Sequence, residues 1–249
     1  MSRYFVMMMI GLVTTTMALG EEHRLNLLVY SHTAGHRHGA AIEAGIEVLQ
    51  EMAQEEGWGV TFTEDPSAFT TENLGQYDVI LFNNTTQNVL PEPAQRAAFK
   101  SFIRNGGGFV GIHAASDTLY DWEWYGQLIG AYFRGHPRGM QTARIKVEDA
   151  QHPSMQGLGD EFEFHDEWYW FRSNPREQVH VLATLDRTSH RDLIAYDRRN
   201  RNADHPIIWC HEFDGGRVWY TALGHTRGPV EDDRFIRMLR GGILWAADR

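Results

Sequence analysis

Residues 106–117 read GGGFVGIHAASD, in which three glycines lead into a short apolar run that ends at a histidine. Residues 108–113 predict a β-strand, and the small residues around His113 allow a tight strand-to-helix turn that resembles a nucleophile elbow. The stretch therefore predicts a strand of an α/β fold with a functional residue at its carboxyl end. A packed, hydrogen-bonded core histidine is the alternative interpretation of His113.

The residues before this stretch alternate between β-prone apolar runs and segments with helical spacing. This alternation predicts an α/β fold with a mostly parallel sheet flanked by helices and a flavodoxin-like strand order. In that order the first and third strands are neighbours, and the fourth lies beside the third. The predicted strands are 25–30, 59–63, 77–82 and 108–113, and the predicted helices are 40–54 and 91–104.

The second half of the chain is less regular. Residues 157–172 are crowded with acids and aromatic residues and are expected to form a loop. Asp214-Gly215-Gly216 predicts the turn of a strand pair. The other predicted elements are strands at 143–147, 179–185, 206–211 and 217–221 and a final helix at 231–247 that covers the sheet.

The first 20 residues have the pattern of a secretory signal: Arg3, an apolar run at 5–12, and Ala18-Leu19-Gly20. We expect a signal peptide at 1–20, one domain at 21–249, and export to the periplasm or beyond, with no membrane association after cleavage. An uncleaved anchor is the alternative. Cys210 is the single cysteine, so no internal disulfide is expected.

The composition limits the classes of partner. The chain has 33 acidic and 23 basic residues, with a formal net charge of −10. Nucleic acids and anionic membranes select clustered Lys and Arg, which this sequence lacks, so a neutral small molecule is the expected partner and no nucleic acid is. No nucleotide cofactor is expected, and a homo-oligomer is left open.

Polar side chains follow the predicted parallel strands at the points where these strands end. Ligands of open parallel sheets bind beyond the carboxyl ends of the strands, so these residues should face one crevice. They are His32, Arg37 and His38 after the first strand, Asn84 after the third, and His113 and Asp117 at and after the end of the fourth.

Further candidates lie in the second half: His136 in a glycine-rich segment, the pair Asp166-Glu167, and His225. Trp168 and Tyr169 follow the acidic pair and resemble the aromatic lining of a sugar site, although a solvated loop and a core tryptophan are alternatives. Histidines and carboxylates permit metal binding and proton transfer near neutral pH. No CxxC or HExxH motif occurs, so a divalent metal would need ligands from distant loops.

Together these motifs resemble those of the trehalose-utilisation (ThuA-like) family. The motifs are Ser31-His32-Thr33-Ala34-Gly35 with Arg37-His38, Gly111-Ile112-His113-Ala114-Ala115, Gly135-His136-Pro137, Asp166-Glu167-Trp168-Tyr169 and Tyr220-Thr221-Ala222-Leu223-Gly224-His225. The resemblance implies a fold similar to that of class I glutamine amidotransferases without their catalytic cysteine. It also implies a role in the catabolism of disaccharides or glucosides, and family members are associated with oxidoreductases that make 3-keto sugars.

The chemistry of a 3-keto sugar indicates which reactions this role would involve. The C3 ketone acidifies the C2 hydrogen, which allows elimination of the C1 aglycone or isomerisation through an enediol, and hydrolysis is a further route. Each needs a base and a group that stabilises the oxyanion. The expected catalytic residues are His113 and His225, with Asp166 or Glu167 as base. The expected metal ligands are His38, His113, His136 and His225, and the expected substrate-binding residues are His32, Arg37, Asn84, Asp117, Trp168 and Tyr169.

Two other functions fit the same residues. One is a non-catalytic carbohydrate-binding module on a degenerate amidotransferase scaffold, because a fold does not guarantee a function. The other is a metal-dependent hydrolase or isomerase of an unrelated polar substrate. A catalytic site requires that at least three of the strand-end histidines converge near a carboxylate.

Overall fold

Eleven strands and seven α-helices make up the part of the chain that the computed structural model describes, residues 24–198 and 203–248. The strands are β1 (Asn26–Tyr30), β2 (Gly59–Thr63), β3 (Val79–Asn83), β4 (Gly108–Ile112), β5 (Phe133–Gly135), β6 (Gln141–Val147), β7 (Glu161–Asp166), β8 (Trp170–Phe171), β9 (His180–Asp186), β10 (Pro206–Phe213) and β11 (Gly216–Thr221). The helices are α1 (Gly39–Glu56), α2 (Thr71–Leu74), α3 (Pro93–Arg104), α4 (Glu123–Ile129), α5 (Arg191–Tyr196), α6 (Arg227–Glu231) and α7 (Asp233–Ala246).

Nine strands form one sheet in the order β2-β1-β3-β4-β11-β10-β9-β6-β7, and β5 pairs with β8 separately. The predicted neighbours, β1 with β3 and β3 with β4, are confirmed, and both pairs are parallel. Strands β10 and β6 run against the other seven strands of this sheet. The carboxyl ends of the remaining strands, including the distant β7, therefore lie at one edge.

The parallel half of the sheet is covered on both faces. Every residue of β3 and β4 is buried, as expected of apolar strands between two helical layers. A Cβ at Gly108 would collide with the backbone of Ala246 in α7, and one at Gly111 would crowd Ile129 in α4. Positions three apart in a strand face opposite ways, so these two helices pack on opposite faces.

The antiparallel half has one solvated face. Residues along β6 alternate between buried and exposed, which is the pattern of a strand with a single packed side. Hairpin β10–β11 closes at Asp214 and Gly215, both with positive φ, as the predicted turn requires.

Two predictions in this half were wrong. Residues 157–172 are not a loop throughout, since they contain β7 and β8. Glu161 and Glu163 of β7 are exposed on an edge strand, and the acidic composition hid the period-two alternation of this strand. The predicted final helix, 231–247, is divided at Asp232, whose side chain accepts a hydrogen bond from the Arg234 amide and caps α7.

The predicted signal peptide, 1–20, lies outside the described residues. Among the residues that are described, no helix has the length and apolar character needed to cross a bilayer.

Candidate functional site

The candidate site begins with the turn after β4. His113 is fully buried and has a φ of 46°, a left-handed conformation that is rare for a residue with a side chain. Its Nδ1 lies 2.6 Å from the Ala222 carbonyl oxygen, which can only accept, so Nδ1 carries the proton. In the neutral ring of this tautomer, Nε2 presents the lone pair that a metal-binding imidazole requires.

Four side chains converge at this point: His38, His113, Glu167 and His225, whose ligand atoms all lie within 4.8 Å of one another. His225 Nδ1 is 3.3 Å from His113 Nε2 and 3.2 Å from Glu167 Oε2. His113 Nε2 is 3.7 Å from the same carboxylate oxygen. A metal bound at about 2.0–2.2 Å separates tetrahedral ligand atoms by about 3.4 Å, so the spacing suits a shared cation. Three histidines and a carboxylate could hold one.

The ionisation of these groups also suits a cation. Burial lowers the pKa of His38 to about 3 and that of His225 to about 4, so both rings are neutral at neutral pH. Burial raises the pKa of Glu167, but His113 and His136 outweigh this effect and hold the carboxyl well below its ordinary pKa. The buried Nδ1 of His38 has no hydrogen-bond partner among the described residues. Neutral imidazoles and an ionised carboxylate are the forms that bind divalent metals.

His136, a predicted ligand, lies beside this group of four and is not a member of it. Its Nδ1 is 2.9 Å from Glu167 Oε1 and 2.7 Å from the Pro137 carbonyl oxygen. Hydrogen bonding to Glu167 raises the pKa of His136. Because Nδ1 faces two acceptors, it carries a proton; Nε2 has no hydrogen bond to another described residue, and the side chain is 38% exposed.

Asp166, the other candidate base, is fully buried, and both of its oxygens are occupied. Oδ1 accepts from the amides of Glu167 and His225, and Oδ2 accepts from the Gly224 amide at 2.7 Å. Burial raises the pKa of Asp166 to about 6, against the opposite effects of His113 and these amides. Asp166 thus joins the end of β7 to the turn after β11, and it places both Glu167 and His225.

The two aromatic residues after the acidic pair have different surroundings. Trp168 is a core residue, 1% exposed, and its Nε1 donates to the Gln141 carbonyl oxygen. The Tyr169 ring lies 3.9 Å from the His113 ring and 4.2 Å from the Phe133 ring, measured between centroids. Tyr169 therefore forms one wall around the His113 imidazole.

The remaining predicted residues are not members of the group of four. His32 stacks near Tyr30, and Arg37 forms a bidentate pair with Glu64 on the exposed surface. Asn84 is buried with a positive φ, and its amide donates to the Gly224 carbonyl oxygen. Asp117 is the last residue of the five-residue 3₁₀ turn that begins at His113.

Three residues near the site were not predicted from the sequence. The His36 ring lies 4.7 Å from that of His38, and the histidine spacing at 36 and 38 was a visible signal. Tyr120 and Gln87 both hydrogen-bond to Asp117. No sequence signal marked these two residues, because their roles depend on how the loops after β3 and β4 meet.

Cys210 is buried in β10, and burial raises the pKa of its thiol to about 12. It is remote from the turn where an amidotransferase would carry its nucleophile, which His113 occupies.

Fold and site together define an α/β protein of the class I glutamine amidotransferase-like type, with a histidine and glutamate centre at the strand ends. The chain belongs to the ThuA family, described as trehalose utilisation, which matches residues 26–246. The family assignment from the motifs is thereby confirmed, and so is its fold class.

Solved structures of ThuA-like proteins are also similar to this chain. A ThuA-like protein from Bacteroides uniformis is 25% identical with a TM-score of 0.77, and the match covers 92% of this chain and 94% of that one. A ThuA-like protein from Parabacteroides merdae is 18% identical with a TM-score of 0.69, covering 90% of both chains. A cytoplasmic protein from Salmonella typhimurium shares the fold at 13% identity and a TM-score of 0.60, covering 89% of this chain and 99% of that one. No curated protein matched.

Proposed function

We propose that this chain is an exported enzyme of sugar catabolism that acts on 3-keto disaccharides or glucosides with the help of a divalent metal. The proposal rests on one observation, the convergence of His38, His113, His225 and Glu167 within 4.8 Å at the carboxyl edge of the sheet. Three histidines beside a carboxylate meet the geometric requirement for a catalytic centre rather than a scattered set of loop histidines. The family's link to trehalose utilisation supports the substrate class.

The four residues would hold the metal. Bound there, it would polarise the C3 carbonyl of the substrate and stabilise the negative charge that forms on that oxygen. The Ala222 carbonyl fixes the tautomer of His113, and the Asp166 carboxylate fixes the backbone that carries Glu167 and His225. These supporting contacts are of the kind that orient metal ligands.

His136 would act as the base. Glu167 and the Pro137 carbonyl hold its Nδ1–H, so in the neutral ring the nitrogen that can accept a proton is Nε2. An imidazole oriented by a carboxylate is a common proton acceptor in enzymes. It would remove the C2 hydrogen that the C3 ketone acidifies, and the resulting enediolate leads to elimination, isomerisation or, after addition of water, net hydrolysis.

The direct test uses the purified chain without residues 1–20, its bound metal measured by elemental analysis. It is incubated with a 3-keto glucoside or 3-keto trehalose, with and without Zn²⁺, Mn²⁺, Ni²⁺ or Co²⁺. Loss of the keto sugar and release of the aglycone or glucose are followed. We expect metal-dependent turnover that His113→Ala abolishes.

The matched control is His180→Ala, since His180 is 58% exposed and pairs with Asp149 away from the site. It should keep full activity. No turnover with any metal would refute the enzymatic proposal. Sugar binding without turnover would favour the carbohydrate-binding module.

A further inference from the structure

Asp117 differs from the other two carboxyl groups of the site region in having a free oxygen. Both oxygens of Asp166 accept backbone amide hydrogen bonds. Glu167 lies between His113, His136 and His225. Asp117 has only its Oδ1 engaged: none of its hydrogen bonds to described residues uses Oδ2.

The position of Asp117 suits a group that meets the substrate. It ends the five-residue 3₁₀ turn that begins at His113, and unlike its neighbours in that turn it is not fully buried. Gln87 Nε2, at 3.1 Å, and Tyr120 Oη, at 2.6 Å, hold Oδ1 in place.

The hydrogen-bond partners of Asp117 are compatible with both the neutral and the ionised form of its carboxyl group. Tyr120 Oη lies 3.1 Å from the Phe133 carbonyl oxygen as well as near Asp117. Oδ1 can accept from Gln87 and Tyr120 in both forms, and the free Oδ2 can carry the proton of the neutral form. Burial raises the pKa of Asp117, although the hydrogen bonds from Tyr120 and Gln87 and the nearby Arg172 guanidinium oppose this effect.

We propose that Asp117 is the general acid of the reaction and protonates the aglycone oxygen as it leaves C1. This inference rests on the proposed function. In the elimination, His136 takes the C2 proton, the C1–C2 double bond forms, the C1–O bond breaks with its electron pair on oxygen, and Asp117 supplies the proton to that oxygen. The products are a neutral alcohol or sugar and an unsaturated keto sugar; His136 then releases its proton to solvent, and solvent returns a proton to Asp117.

The test uses the dependence on leaving group. Asp117→Asn is assayed on two 3-keto glucosides, one with a 4-nitrophenyl and one with a methyl aglycone. The nitrophenolate leaves without a proton, whereas methoxide does not. We expect methanol release to fall at least about 100-fold and nitrophenol release by less than about 10-fold, in line with the usual contribution of a general acid. Exchange of the C2 hydrogen in D₂O should persist in the variant.

Two further variants complete the test. Asp121→Asn changes a nearby aspartate that is 64% exposed and pairs with Arg96, and it should behave as the unaltered chain does. Tyr120→Phe removes one contact to Asp117 and should give a smaller loss with the same dependence on leaving group. This variant keeps the test decisive if Asp117→Asn fails to fold.

Equal losses on both glucosides in the Asp117 and Tyr120 variants would overturn the role of Asp117 as the acid. The absence of both C2 exchange and aglycone release in the unaltered chain would instead refute the proposed function.

Discussion

The parallel and antiparallel halves of the sheet contribute to the same site in different ways. The parallel strands β3 and β4 are buried throughout, whereas β6 and β7 alternate between packed and solvated faces. The first half supplies His38 from the end of the loop between β1 and α1, and His113 from the turn directly after β4. Glu167 follows an edge strand four places beyond β11 in the sheet. One site can therefore combine a buried, regular scaffold with a segment held by a few specific contacts.

The strongest test of this comparison removes one ligand from each half. His38→Ala and Glu167→Gln should each weaken metal binding at least about 100-fold and abolish turnover, because the centre needs ligands from both. Metal affinity is measured by competition with a chelator. Glu163→Gln, on the solvated face of β7, is the control and should change neither quantity. Retained metal binding in either ligand variant would mean that the halves do not share a centre.

The second test compares the cores of the two halves. Phe109→Ala in β4 and Phe164→Ala in β7 each empty a buried position, 0% and 2% exposed. We expect losses in the free energy of unfolding of about 3–5 kcal/mol, with Phe164→Ala at the lower end because β7 is an edge strand. Chemical denaturation measures both. A larger loss for Phe164→Ala would contradict the view that the parallel half is the more tightly packed.

The third test cuts the connection between the halves. Asp166→Asn replaces a carboxylate that accepts from three backbone amides, and its amide nitrogen would face one or more of those donors. The free energy of unfolding should fall by about 2 kcal/mol, and turnover should fall as Glu167 and His225 shift. Asp160→Asn, an exposed residue just before β7, is the control. Unchanged turnover in Asp166→Asn would show that this carboxylate does not position the site.

The last expected effect is a pH dependence of stability in the second half. Burial lowers the pKa of His205 from 6.5 to about 4, and its Nε2 bonds to the Tyr169 carbonyl oxygen. Between those values the unfolded chain binds a proton that the folded chain does not, so stability falls as the pH drops from 6.5 towards 4. The contribution is on the order of 1–3 kcal/mol.

His205→Gln keeps a hydrogen-bond donor and removes the titration, so thermal unfolding should depend less on pH across this window. An unchanged slope in the variant would assign the acid sensitivity to other groups.

Much of the first half could be predicted because each strand is a short apolar run and each helix has its own periodicity. Residues 25–30 and 40–54 differ from β1 and α1 by only one or two residues at the ends. The strand ends then indicated His38 and His113, because parallel strands bring their carboxyl ends to one edge. Glu167 was predicted as a base and not as a member of the metal-ligand group, because its distance from His113 depends on contacts that no local pattern encodes.

The sequence by itself determined the α/β class, the order of the parallel strands, the family and a set of four candidate ligand histidines, three of which converge, since these follow from periodicity and short motifs. Only the tertiary structure decided that Glu167 is the fourth member of the group, that His136 lies beside it, and that Asp166 is a buried connection. The physical reason is range: hydrophobic periodicity acts over a few residues. The bond between Asp166 and Gly224 joins positions 58 residues apart and forms only when the whole sheet is assembled.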